Sequence, residues 1–251
     1  MVKRDALLDA LNTLLSPHKF RDYCPNGLQV EGREQVRRVI TGVTASQALL
    51  DAAVAERADV VLVHHGHFWK NEDPCVRGIK RQRLQTLIGH DLNLIAYHLP
   101  LDAHPELGNN AQLGQRLGLT ITGWMGEGAD ALGLVGRLPE PMPAEEFAAH
   151  VAQVLGRVPL HIGDDQDEIE TIAWCTGAAQ GFIEQAQRAG VDAYLSGEIS
   201  EPTVHFARET GLHYFAAGHH ATERYGVQAL GDWLARRFDI EHLFIDIDNP
   251  V

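Results

Sequence analysis

Two adjacent histidines, His64 and His65, follow directly on the apolar run VVLV at 60–63, and imidazoles at the end of a buried strand are natural ligands for a transition-metal ion. Were the strand to continue, neighbouring side chains would point to opposite faces and could not grip one ion. Gly66 permits a turn there, so the pair can serve two neighbouring ions. His219 and Glu223 stand four residues apart where a helical pattern begins, which puts both on one helix face. Asp102 lies beyond a Leu-Pro-Leu kink, and Asn109 with Asn110 opens the next helical pattern as an N-cap. Singly, each feature is also what a strand end, a turn or a solvated helix face would show. Jointly they make a mixed imidazole and carboxylate donor set suited to Zn, Fe, Mn, Co or Ni. Five donors exceed what one tetrahedral ion uses, so the expected cofactor is two divalent transition-metal ions per chain. His98 and His205 are candidate proton shuttles. His67, His104, His220 and Glu198 are left without an assigned role.

The elements that must position these groups follow from periodicity. The segments VRRVITGV, SQALLDAAVAERA, VVLV, RLQTLIGH and LNLIAY alternate short β-branched runs with helical patterns, the order of an α/β fold with right-handed crossovers. From Thr41, TGVTASQALLDAAVAERADVVLVHH is echoed from Thr176 by TGAAQGFIEQAQRAGVDAYLSGE, with Gln47 over Gln180, Asp59 over Asp192 and His65 over Glu198. Beyond each copy a further apolar strand leads to a histidine and a carboxylate four apart, His98 with Asp102 and His219 with Glu223. The expectation is an α/β fold of two similar, intertwined lobes from an internal duplication, with the metal site in the cleft between them, because open α/β sheets gather ligands at the carboxyl ends of their strands. Generic strand-helix-strand units give a weaker form of the same echo. Residues 120–143 are glycine-rich and carry Pro139 and Pro141, which places the lobes at 1–125 and 126–251, the C-terminal segment packing back on the first.

Composition removes several function classes. The net charge is −13, from 21 basic residues, four of them lysine, and 34 acidic ones, a surface that repels phosphate backbones and argues against nucleic acid as a partner. Three cysteines without a C-x-x-C pair indicate neither a disulfide framework nor a zinc ribbon, and Cys175 reads as structural. The N-terminus reads as an amphipathic helix rather than a signal peptide, and no apolar run approaches the roughly 18 residues that span a bilayer. A cytoplasmic protein with no membrane contact is expected. Phosphate-loop, dinucleotide-binding and nucleophile-elbow motifs are absent from the sequence.

The segments DYCPNGLQVEG, VHHGHFWK, HLPLDAHPELGNN and GHHATERYG together resemble the Nif-three-like family, whose members often carry the name GTP cyclohydrolase 1 type 2 homologue. The modest stretch between Asn110 and Cys175 matches the short bacterial form without an inserted domain. The resemblance implies a two-lobed α/β fold, a homohexameric ring and a dinuclear metal centre. Its ligands fall on His64 and His65 of HHG, Asp102 of HLPLD, and His219 and Glu223 of GHHATE, with Glu223 as the bridge. Many relatives carry His-Pro where this chain has Gly66-His67. The implied function is a metal-dependent hydrolase acting on a small polar or nucleotide-like substrate. A non-catalytic metal-binding scaffold, or a metal storage or delivery protein, is the alternative. An acidic chain without a Lys and Arg cluster is poorly equipped to clamp a triphosphate.

Overall fold

The structure, a computed structural model, describes residues 1–126 and 131–251. In chain order come β1 (Val2–Lys3), α1 (Arg4–Leu15), β2 (Gly27–Val30), β3 (Gln35–Val36), β4 (Arg38–Thr44), α2 (Gln47–Ala55), β5 (Val60–His65), α3 (Gly78–Gly89), β6 (Asn93–Ala96) and α4 (Leu99–Asp102). There follow α5 (Asn109–Arg116), β7 (Thr120–Met125), β8 (Gly133–Pro143), α6 (Ala144–Leu155), β9 (Leu160–Ile162), β10 (Glu168–Cys175), α7 (Ile183–Ala189), β11 (Ala193–Ser196), α8 (Glu201–Thr210), β12 (His213–Ala216), α9 (His219–Phe238) and β13 (Glu241–Phe244). The alternation of strand and helix is the α/β architecture that periodicity indicated.

The chain divides into two units, Met1–Leu101 with Gly226–Asp248, and Asp102–Tyr225 with Asn249–Val251. Cuts after Leu101 and Tyr225 therefore stand where the sequence reading placed a single cut at 125/126. The physical reason lies in the glycine-rich stretch: β7 and β8 pair antiparallel within the second unit's sheet, so this stretch is two strands of one sheet. Residues 127–130 lie outside the described residues. Pro139 and Pro141 fall between Arg137 and Met142, where the register of β8 against β10 shifts and a missing N–H breaks no regular ladder.

In the first unit the strand order is β13-β4-β5-β6-β2. The strands β13, β4, β5 and β6 run parallel, and β2 pairs antiparallel to β6. A strand covered on both faces reads as continuously apolar, and Val60, Val61, Leu62 and Val63 of β5 are fully buried. Ile40, Leu49, Leu50, Val61, Val63 and Leu94 belong to one core cluster. The helix α2 begins where the Ser46 hydroxyl accepts the Leu49 N–H at 3.3 Å, a side-chain N-cap.

In the second unit the order is β7-β8-β10-β11-β12-β9. Here β10, β11 and β12 run parallel, while β8 and β9 pair antiparallel to β10 and β12. Phe147, Val151, Ile172, Trp174, Leu195 and Phe215 fill its main core.

Each unit thus contains parallel strands in chain order with a helix in each connection, β4-α2-β5-α3-β6 and β10-α7-β11-α8-β12. The aspartates aligned in the sequence echo hold equivalent places. Asp59, just before β5, accepts the backbone N–H groups of Arg37 and Arg38 and an N–H of Arg33. Asp192, just before β11, accepts the N–H groups of Glu170 and Thr171 and the Thr171 hydroxyl. Each carboxylate fastens its strand to the one beside it. Asp59→Ala is expected to cost about 1–3 kcal/mol and the more exposed Asp192→Ala nearer 1 kcal/mol, because backbone donors lose a charged acceptor. Urea unfolding at pH 7 measures both; unchanged midpoints would show that water replaces these carboxylates without loss.

Candidate metal centre

The first unit gathers imidazoles where β5 ends and just past β6. Donor nitrogens of His64, His65 and His98 lie within 4.8 Å of one another, with ring centroids 4.6 Å apart for His64 and His65 and 5.0 Å for His64 and His98. Each ring is oriented through Nδ1. His64 Nδ1–H donates to the Tyr97 carbonyl at 3.0 Å, His65 Nδ1 pairs with the Thr44 hydroxyl at 3.1 Å, and His98 Nδ1–H donates to Asp22 at 2.7 Å. A carbonyl or carboxylate can only accept, so in His64 and His98 the lone pair sits on Nε2, the arrangement that metal-ligating histidines use.

Asp22, which sequence reasoning did not single out, organises this corner. It accepts from His98, from the Asn26 amide at 2.8 Å and from the Leu99 N–H at 2.9 Å. Burial pushes its pKa up, but the hydrogen bonds from His98 and Asn26 outweigh burial and hold it below the usual carboxylate range. Cys24 lies near Asp22 and His98, but burial pushes its thiol up to about 12, so it supplies no thiolate at neutral pH.

The turn after His65 depends on close approach. A Cβ on Gly66 would collide with Gln29 Oε1, and Gln29 accepts the His67 N–H at 2.7 Å while donating to the His67 carbonyl at 3.1 Å. His67 is buried, with Nε2 3.1 Å from the Ala45 carbonyl. It braces the loop and belongs to none of the donor groups found among the described residues.

In the second unit α9 starts at His219, and the four-residue spacing brings His219 Nε2 to 3.1 Å from Glu223 Oε2. An oxygen of Asp102 and one of Glu223 lie within 4.8 Å of each other. His219 Nδ1–H donates to Glu198 at 2.7 Å, which gives Glu198 the same orienting role that Asp22 has for His98. Burial disfavours the charged form of His219, yet Glu223 and then Glu198 outweigh it and hold its pKa up at about 9.

Asp102 accepts from the Asn109 amide at 2.9 Å and from the Thr176 hydroxyl at 3.4 Å. The expected Asn N-cap is therefore corrected. Gly108 takes the cap position without a side-chain bond, because Asn109 is turned to Asp102 and Asn110 accepts the Thr176 N–H at 2.9 Å. Cys175 is buried, and burial with the Asp102 and Glu223 charges raises its thiol far above neutrality, in keeping with a structural role.

Gly177 has φ +70°, and a Cβ there would collide with Glu223 Oε1. Gly177→Ala is expected to displace Glu223, weaken metal retention by about 10- to 100-fold, the range seen for supporting groups, and lower the melting temperature. Gly181→Ala, at a position with nothing within 4 Å, is the control. Competitive metal titration of both variants checks this.

The remaining candidates lie elsewhere. His205 sits on α8 with its side chain 59% exposed and Nε2 2.8 Å from Glu201. It joins none of the donor groups among the described residues. His104 Nδ1 accepts the N–H groups of Glu106 and Leu107 and closes a turn. His220 is buried and donates its backbone N–H to Val251.

A family model described as Duf34/NIF3 (NGG1p interacting factor 3) matches residues 2–250. A curated relative from Pseudomonas aeruginosa, named GTP cyclohydrolase 1 type 2 homolog, is 61% identical over 245 residues, 97% of each chain. A solved structure described as protein ybgI, of unknown function, aligns at TM-score 0.96 and 53% identity over all of both chains. TTHA1606 from Thermus thermophilus aligns at TM-score 0.90 and 36% identity, again over all of both chains. Among the described residues no helix is long and apolar enough to cross a membrane.

Proposed function

The chain belongs to the Duf34/NIF3 family, and on that footing we propose that it is a metal-dependent hydrolase of a small polar or nucleotide-like substrate that works with two divalent transition-metal ions per chain. The observation that carries this reading is a carboxylate-oriented histidine in each unit with further donors beside it, His98 held by Asp22 next to His64 and His65, and His219 held by Glu198 next to Glu223. His64, His65, Asp102, His219 and Glu223 would hold the ions, and their imidazole and carboxylate chemistry fits Zn, Fe, Mn, Co or Ni. Such ions supply Lewis acidity and lower the pKa of water, so that hydroxide is available near neutral pH.

The protein's own part in the chemistry falls to His98. Asp22 fixes its ring through Nδ1, leaving Nε2 as the nitrogen that would exchange a proton with the substrate. The name shared by the relatives, GTP cyclohydrolase 1 type 2 homolog, supports hydrolysis of a nucleotide-like compound. The homohexameric ring implied by the family resemblance belongs to the same proposal, and light scattering of the purified protein tests it.

The test of function is a panel of nucleotides, cyclic amides and phosphoesters, each assayed with Mn, Zn and Fe(II). Turnover that is lost in both Asp102→Ala and Glu223→Ala supports the hydrolase. Turnover surviving both changes contradicts it, and loaded protein inert to the whole panel favours the metal-binding scaffold.

A further inference from the structure

We propose that Tyr23 and Trp69 form an aromatic wall that recognises a planar, unsaturated ring of the substrate beside His98; this rests on the hydrolase reading and names the substrate class for it. Tyr23 is 60% exposed although it is a large aromatic side chain. Its ring lies 6.3 Å from His98 at 65°, and the Trp69 ring lies 5.1 Å from His98 at 86° and 5.9 Å from His65. Both aromatics therefore border the imidazole group.

The backbone holds them there. Lys70 donates its N–H to the Tyr23 carbonyl at 2.7 Å, and Trp69 donates its N–H to Glu72 at 3.1 Å. Phe68 has φ +64° and Asn71 φ +69°. A bulky residue in the left-handed region is disfavoured, and such strain persists only where its surroundings enforce it, most often at functional sites. Here the strained turn sends Phe68 against the core of the unit and leaves Trp69 facing His65 and His98. The core takes one aromatic of the pair, and the imidazoles take the other.

Aromatic faces bind planar π systems by stacking, largely without regard to the identity of the ring. An anionic phosphate gains little from the negative face of an aromatic ring. The juxtaposition thus selects a flat heterocycle and sets it beside the residue assigned to proton transfer.

Equilibrium dialysis of guanosine, uridine and ribose 5-phosphate against Zn-loaded and chelator-treated protein tests the inference, with metal content measured alongside. At least one nucleoside is expected to bind more tightly than ribose 5-phosphate. Trp69→Leu and Tyr23→Leu should each weaken that binding by about tenfold or more at unchanged metal content, and Trp69→Phe should keep most of it. Nucleoside binding that is absent, no tighter than that of the sugar phosphate, or unaffected by either leucine substitution would overturn the wall. Failure to load metal while ring preference persists would sink the parent reading alone, and loaded protein indifferent to the ring would sink this inference alone.

Discussion

Replacing Glu223 with alanine is expected to strip the protein of both metal ions, or nearly both, as read by elemental analysis after dialysis. Glu223 is 3% exposed and stands beside both Asp102 and His219, so water cannot easily take the place of its carboxylate. A chelator-treated sample offers a second readout. Burial works against the imidazolium, but Glu223, then Glu198, hold His219 at about 9, against about 6.5 for an unfolded histidine. A raised pKa stabilises the fold in full below about pH 6.5, and that contribution is lost as the pH rises through about 9. Glu223→Gln removes the strongest acceptor for this proton. The His219 titration followed by NMR should fall toward about 6.5, and the stability of metal-free protein should lose its slope across that window. Full metal content in Glu223→Ala, or an unmoved His219 titration in Glu223→Gln, would contradict the assignment.

Asp22→Asn is expected to cut turnover on whichever substrate the panel identifies by about a hundredfold or more, within the range that oriented acid-base help contributes. The side chain keeps its shape but no longer carries the charge that offsets a protonated His98. Metal content and KM should stay near those of the parent, because Asp22 is not among the five proposed ligands. His98→Gln should fall by a similar factor, and the double variant should be little worse than either alone, as happens when two groups act as a unit. Metal loss in His98→Gln would instead make His98 a ligand. Additive losses in the double variant would separate the roles of the two residues.

Much of this arrangement is legible in the sequence where one residue's local spacing suffices. His219 and Glu223 need only a helix to meet, and the four-residue interval states it. His64 and His65 are marked by the apolar run before them, since a buried parallel strand must end somewhere and polar residues mark the place. The Asp59 and Asp192 alignment also had structural content, as each clamps the start of a neighbouring strand. What stayed hidden depends on contacts distant in sequence. Asp22 meets His98 across 76 residues, and nothing local in DYCPNG signals an imidazole partner. Glu198 was aligned with His65, yet its bond goes to His219. Asn109 looked like a cap because Asn favours helix starts; its amide serves Asp102 instead. Glycines and prolines within 120–143 belong to paired strands, because these residues mark turns within a sheet as strongly as they mark linkers. The one sequence signal for the space around Glu223 is Gly177, whose missing Cβ leaves room for that carboxylate.

The measurement that bears most directly on the two-ion proposal is the metal-to-chain ratio, by elemental analysis, of protein loaded with Zn or Mn under reducing conditions and then dialysed. A ratio of two is expected, falling sharply in single alanine variants of His64, His65, Asp102, His219 and Glu223 and holding in His205→Ala. A ratio of one or zero in the parent, or a ratio of two that survives the loss of these side chains, would contradict it.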